Sequence, residues 1–412
     1  MAHDDHGLAA FLRRCPNRLC GRPGGEPLVR LGVEPGRPRE LLGGLSGTEE
    51  GARQDCVGHE AFVGESLPEH PGGVAACRGE TPELVRLPGH SLGVTDDHEP
   101  HRPEHSLRFV RTFRYVVADV FTDTPLAGNP LAVFTDGRGI DDEEMQRLAR
   151  ELNLSETVFV LPPEQGGHAR IRIFTPAVEL PFAGHPTVGT AHVLAAIGDL
   201  RLDGDVTRIV LEERVGPVPV TVRAERGHPT FCQLSVARLP EEGPPPPSNE
   251  ALAEALGLDP AEVLGGEWAP RGWTCGVPYL FVPLRDRSAV ARASVRIDKW
   301  ERALAGTWAP ELFVFSRDAE RAGSDLRARM FAPAFGIGED PATGSAAAAL
   351  AGYLAKRDSR RDGTLRWVVE QGFEMKRPSI LEVEADVVGG AVTSVRVGGS
   401  SVLVCEGTMS VA

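Results

Sequence analysis

His185 and Asp340 stand in matching phrases. Around the first, the chain reads Gly184-His185-Pro186-Thr187-Val188-Gly189-Thr190-Ala191; around the second, Glu339-Asp340-Pro341-Ala342-Thr343-Gly344-Ser345-Ala346. Each is polar-Pro-x-x-Gly-(Thr/Ser)-Ala, and each runs into an Ala/Leu-rich apolar stretch. Proline fits the first turn of a helix, where its missing N–H costs nothing. The other first-turn N–H groups have no intrahelical partner. Glycine lets a ligand come close to the backbone, and Thr190 and Ser345 add a hydroxyl at matching places. Two such helix N-termini facing one cleft would bind an anion. A His opposite an Asp there can share a proton, each holding the other toward its charged form. The plainer reading is that both residues only cap their helices, and Asp is a good cap. The matched pair favours chemistry.

The repeat extends upstream. Arg172-Ile173-Phe174-Thr175-Pro176-Ala177 matches Arg329-Met330-Phe331-Ala332-Pro333-Ala334. Two phrases in one order in both halves imply two similar domains, each with a strand, a turn and a helix starting at a proline. Alternating β-branched runs predict strands at 115–121, 131–135, 156–161, 169–174, 206–212, 217–224 and 231–236. Asp141 and Glu144 form a variant capping box, and Met145, Leu148, Ala149 and Leu152 fall on one helical face. The stretches 190–197 and 343–356 are apolar almost all round, which predicts helices enclosed by sheet. Pro244 to Pro247 is a rigid spacer. Further strands are expected at 277–283, 311–316, 327–331, 366–370, 379–388, 391–398 and 402–405. The class is α+β, with a mixed sheet wrapped around a central helix in each domain. The first domain spans 110–240 and can also take in the last strand, about 400–412; the second spans 241–400.

Composition narrows the function. A chain of 412 residues, 41% apolar, fills two ordinary domains. A net charge of −14 gives no electrostatic case for nucleic acid. No apolar run is long enough to cross a membrane, and no secretory signal is visible. Seven irregularly spaced cysteines do not form a disulfide framework, so a cytoplasmic setting is expected. Residues 1–109 differ from the rest. They hold eight of the twelve histidines and no lysine, without hydrophobic periodicity. Cys15, Cys20, Cys56 and Cys77 suggest zinc, but no CxxC pair occurs, and spurious or unstructured sequence is the preferred reading. The first methionine after Met1 is Met145, inside a predicted helix. Val110 is therefore an expected true start.

Glu156, at a turn-to-strand junction, has the local look of a solvated charge. His168 and His228 lie in polar loops, and His192 in the apolar helix reads as a satisfied core group. No nucleotide-binding glycine loop, no GxSxG and no lysine in a Schiff-base context occurs. What remains is acid–base chemistry without cofactor or metal.

These residues resemble a known family. Asp119-Val120-Phe121-Thr122, Gly128-Asn129-Pro130-Leu131-Ala132-Val133, Asn153-Leu154-Ser155-Glu156-Thr157, Phe182-Ala183-Gly184-His185-Pro186 and 338–346 look like the PhzF-like, phenazine-biosynthesis family, in the family's order. The resemblance covers the chain from about Arg114 to the C-terminus. It implies a diaminopimelate epimerase-like fold with pseudo-twofold-related domains, and a homodimer. It makes Glu156 the catalytic acid–base, with His185 and Asp340 as its catalytic companions. It assigns the substrate carboxylate to Gly184 and the backbone around Gly344, and Ser345, Ser155 and Asn129 to substrate binding. The implied reaction is isomerisation of trans-2,3-dihydro-3-hydroxyanthranilate or a related small carboxylate. Diaminopimelate epimerases use two cysteines; Cys232, Cys275 and Cys405 lie outside both motifs, which argues against that mechanism. The alternatives are an amino-acid or hydroxy-acid racemase or epimerase, and a non-catalytic small-molecule binder on the same scaffold.

Overall fold

The computed structural model describes residues 110–411. The expectations for residues 1–109, including the zinc reading and the start at Val110, lie outside the described residues.

One continuous sheet runs through the fold and is built twice from the same plan. The first pass comprises β1 (Arg111–Val120), β2 (Asn129–Phe134), β3 (Glu156–Leu161), β4 (Ala169–Phe174), β5 (Glu179–Leu180), β6 (Val206–Glu213), β7 (Gly216–Glu225) and β8 (His228–Ser235). The second comprises β9 (Glu241–Glu242), β10 (Arg271–Thr274), β11 (Pro278–Pro283), β12 (Glu311–Ser316), β13 (Leu326–Ala332), β14 (Ile337–Asp340), β15 (Gly363–Gln371), β16 (Ser379–Val388) and β17 (Ala391–Gly399). In the first half β2 lies parallel to β3, β3 antiparallel to β4, and β4 parallel to β6. The second half repeats this with β11 and β12, β12 and β13, and β13 and β15. The halves join where β8 pairs antiparallel with β17. The final strand, β18 (Ser401–Val411), returns to the first half and pairs with β1 along its whole length. The α+β class read from the sequence is borne out.

The helices sit between corresponding strands. α1 (Asp142–Leu152) follows β2 and starts with the expected capping box: Asp141 accepts from the Glu144 N–H, and Glu144 accepts from the Asp141 N–H. α2 (Gly184–Ala196) follows β5 and is buried along its length except for Ala196. In the second half α3 (Asn249–Leu256) is capped by Ser248, and α4 (Arg287–Arg292) and α5 (Ile297–Ala303) take the place of α1. α6 (Gly344–Ala355) is the counterpart of α2, buried at every residue but Ser345. Both central helices are apolar all round because sheet covers every face. Leu131, Val188, Phe281, Ala347 and Tyr353 belong to one core shared by both halves. Two short strands lie outside those expected from the sequence: Arg271–Thr274 pairs with β11, and Ile337–Asp340 pairs with β13.

The halves correspond in a register that the matched phrases misplace. Ile173 pairs with Leu180, and Met330 pairs with Asp340, so Leu180 is the counterpart of Asp340. Arg172 grips Glu179 through Nε at 2.8 Å, and Arg329 grips Glu339 in the same way at 2.8 Å. Glu179-Leu180-Pro181-Phe182-Ala183-Gly184-His185 thus lies over Glu339-Asp340-Pro341-Ala342-Thr343-Gly344-Ser345. His185 corresponds to Ser345, not to Asp340. Gly189, matched by sequence to Gly344, instead packs into the core: a Cβ there would meet Val120 Cγ2 at 2.5 Å.

Candidate active site

The two central helices meet end to end. A Cβ on Gly184 would lie 2.8 Å from Gly344 Cα and 2.9 Å from the Ser345 nitrogen; one on Gly344 would lie 3.1 Å from Gly184 Cα. Only glycine at both positions lets the backbones touch. Neither helix has a side-chain cap: Ala183 and Thr343 occupy the cap positions without capping hydrogen bonds. The expectation that His185 and Asp340 stand just before their helices is therefore corrected, and the plainer reading of both as caps falls with it. His185 is the second residue of α2, and Asp340 ends β14, four residues before α6.

Asn129 links the parts. It opens β2 after a loop in which Gly128 has φ +67°, and a Cβ on Gly128 would lie 2.4 Å from the Val120 carbonyl. Arg377 fixes this loop by donating to the Gly128 carbonyl at 3.0 Å and to Asp119. Asn129 has 0% exposure. Its Nδ2 donates to Asp340 Oδ1 and to the Ala342 carbonyl, both at 2.9 Å, and stands 3.4 Å from His185 Nδ1. Glu156 opens β3, with its Oε2 3.4 Å from the same His185 nitrogen. Thr343 donates to Asp340 Oδ2. Gln371 donates to the Asp340 carbonyl at 2.8 Å and to Thr343 Oγ1 at 3.0 Å. Ser345 Oγ lies 2.7 Å from Tyr279 Oη.

The fold thus brings Glu156, His185, Asn129 and Asp340 into one buried chain of contacts, with Gly184, Gly344 and Ser345 at the helix ends. Ser155 belongs to the same group, since its hydroxyl hydrogen-bonds the Asp340 carboxyl. Three atoms of the chain are buried without a hydrogen-bond partner: Asn129 Oδ1, Glu156 Oε2 and His185 Nε2. Buried polar atoms are nearly always satisfied, so such a set marks a place for a ligand or water. Thr343, Gln371 and Tyr279 escaped the sequence reading. Tyr279 carried one signal: Gly276-Val277-Pro278-Tyr279 echoes Gly128-Asn129-Pro130-Leu131.

The electrostatics also differ from expectation. His185 and Asp340 do not hold each other charged. The acid beside His185 is Glu156, and Asp340 reaches it only through Asn129. Burial pushes His185 down to about 3, so its imidazole is neutral. Burial pushes Asp340 up to about 6, against hydrogen bonds from Thr343, Asn129 and Ser155. Burial raises Glu156 well above the usual carboxylate range, and the charge of Asp340 raises it further. A neutral Glu156 can donate to His185 Nδ1, which leaves Nε2–H facing away from it.

Other candidates fall elsewhere. His168 and His228 are exposed, as expected. His192 is buried, but its Nδ1 has no partner, so it is not the satisfied core group expected. Cys232 is buried on β8, Cys275 lies between β10 and β11, and Cys405 is exposed on β18. Among the described residues no helix is long and apolar enough to cross a membrane.

Comparison with known proteins follows the same residues. The family model for phenazine biosynthesis-like proteins matches residues 118–407. An uncharacterized isomerase of Mesorhizobium japonicum is 42% identical over 304 residues, 73% of this chain and 99% of that protein. The trans-2,3-dihydro-3-hydroxyanthranilate isomerase of Pseudomonas aeruginosa is 41% identical over 295 residues, 71% of this chain and 98% of that protein. A crystal structure of a Bacillus anthracis phenazine biosynthesis protein matches with a TM-score of 0.65 at 25% identity, covering 73% of this chain and 99% of that one.

Proposed function

Because the chain belongs to the PhzF family of phenazine biosynthesis-like proteins and is an isomerase, we propose that it moves a proton between two carbons of a small carboxylate substrate without a cofactor. The named relative makes trans-2,3-dihydro-3-hydroxyanthranilate, or a close analogue, the first substrate to consider. The observation that carries the reading is the buried Glu156–His185–Asn129–Asp340 chain, with its unpartnered atoms, at the junction of two uncapped helix N-termini.

The substrate carboxylate takes the free first-turn N–H groups near Gly184 and Gly344, where the helix dipoles favour negative charge. Glu156, as carboxylate, removes a proton from one carbon and returns it to another carbon of the same π system. Burial makes it a stronger base than a solvated glutamate and also lets it hold the proton between the two steps. His185, neutral, and Asp340 hold the hydroxyl or amino group.

The test is proton NMR in D₂O with trans-2,3-dihydro-3-hydroxyanthranilate. Deuterium on carbon together with a new ring isomer is expected. Glu156→Gln should keep the fold and ligand binding but lose turnover by about 10²-fold or more. A variant with near-native rate would exclude Glu156 from this role. Stereochemical scrambling at one carbon without a double-bond shift would instead select a racemase, and ligand binding without exchange a binder.

A further inference from the structure

The repeated register places a second acid where the first half has Glu156. Glu156 opens β3 opposite Leu131, and the next residue, Thr157, pairs with Phe174. Glu311 opens β12 opposite Tyr279, and the next residue, Leu312, pairs with Phe331. Glu311 is therefore the counterpart of Glu156. It is 1% exposed, and neither carboxyl oxygen completes a hydrogen bond. An ionised carboxylate without a partner is expensive at such a place.

The neighbours explain why the two acids are used differently. In the first half Glu156 meets His185 directly. In the second half the counterpart of His185 is Ser345, and it is taken by Tyr279, which replaces Leu131. Burial raises the Tyr279 hydroxyl, the bond to Ser345 opposes this, and the charges of Glu311, Asp340 and Glu156 raise it further. The charges that act on that hydroxyl thus come from β12, from the end of β14 and from β3. Burial pushes the Glu311 carboxyl up to about 8, against the pull of the Ala334 N–H, and no charged side chain contributes.

We propose that Glu311 is a positioning residue that, through Tyr279, sets which way the Tyr279–Ser345 hydrogen bond points. Each hydroxyl has one proton to place. While Glu311 is neutral, Tyr279 donates to Ser345 Oγ, and Ser345 turns its own proton to an anionic substrate group. Once Glu311 ionises, the phenol proton is drawn toward it. Ser345 then donates to Tyr279 Oη and turns a lone pair toward the anion. No bond breaks; only the direction of donation changes. The consequence for substrate rests on the anion-binding reading of the cleft, whereas the hydrogen-bond reversal does not.

Tyrosine NMR separates the two. The chain has three tyrosines, Tyr115, Tyr279 and Tyr353, so a full-length sample labelled at tyrosine Cζ gives few signals, and Tyr279→Phe assigns the one in question. The Tyr279 signal should step with a midpoint near pH 8. The step should vanish in Glu311→Gln and survive in Glu213→Gln, a control for the other buried acid pushed up to about 8. A flat native signal, or a step that persists in Glu311→Gln, overturns the inference. With trans-2,3-dihydro-3-hydroxyanthranilate, KM should rise about tenfold per pH unit above 8 while kcat moves little. That rise should be absent in both Glu311→Gln and Tyr279→Phe, so the phenylalanine variant decides even if the glutamine variant does not fold. A merely structural role would weaken activity at every pH and leave the slope. A step without turnover supports this inference and sinks the substrate reading; turnover with a flat signal does the reverse.

Discussion

Glu213 offers the sharpest quantitative test. It ends β6, 6% exposed, with Oε1 accepting from Thr187 Oγ1 of α2 and Oε2 without a partner. Burial pushes its carboxyl up to about 8 from the ordinary value of 4.5, although the Thr187 bond pulls the other way. The folded state therefore keeps a proton that the unfolded state releases between pH 4.5 and 8. With more protons bound to the folded chain, stability falls as pH rises through that window. The raised acid thus favours folding fully below about pH 4.5, and that advantage is gone above about 8. At about 1.4 kcal/mol per pH unit the loss is on the order of 5 kcal/mol. Glutamine does not titrate, and the second half already uses it here. Glu212 corresponds to Glu370 by register, which places Gln371 opposite Glu213. Glu213→Gln should therefore flatten the pH dependence and add several kcal/mol of stability at pH 8.5, with little change near pH 4.5. Urea denaturation at pH 5, 6.5 and 8.5 reads this directly. If the variant and the native chain lose stability in parallel across the series, Glu213 is not the group that holds the proton.

Gly184→Ala should cost about 1–3 kcal/mol and most of the activity, because the new Cβ meets Gly344 backbone at 2.8 Å; an unchanged melting temperature would contradict the packing of the helix ends. Arg377→Ala leaves the 2% exposed Asp119 with the Leu126 N–H and no cation, so a loss of about 3 kcal/mol and a raised KM are expected by calorimetry and kinetics. Since Glu156 must ionise to act as a base, and burial and Asp340 oppose that, kcat/KM should fall with decreasing pH at a midpoint above the ordinary carboxylate range. Asp340→Asn should move this acid limb to lower pH in a rate profile, whatever it does to the maximum.

The elements were largely legible because alternation and capping are local. The strands at 156–161, 169–174, 311–316 and 379–388 agree with the structure to the residue, and the Asp141 box caps α1. α4 and α5 escaped because six or seven residues hold too little periodicity to stand out. The repeat was visible, yet its alignment at the motif slipped by five residues. The second half carries three extra residues between its paired Arg329 and Glu339, and the first half holds Pro-x-x-Gly twice, at Pro181–Gly184 and five residues on at Pro186–Gly189. The arginine–glutamate pairs held the correct register. Glu156 looked like a surface charge because its neighbours in sequence do not bury it; His185, Asn129 and Asp340, which do, come from distant segments. Glu311 escaped for the same reason.

The pairing of β18 with β1 sets an order on folding. Arg111 and Val411 are register partners although they lie at opposite ends of the described chain. While the protein is being made, β1 leaves the ribosome with one edge open and must wait until β18 has been made to cover it. Contacts this far apart in sequence form late and fold slowly. An open strand edge is the surface through which nascent chains pair with the wrong neighbour. The protein's yield in a cell should therefore depend on what shields the β1 edge during synthesis, and a chain that stops before Ser401 would lose β18 while keeping every residue of the proposed site.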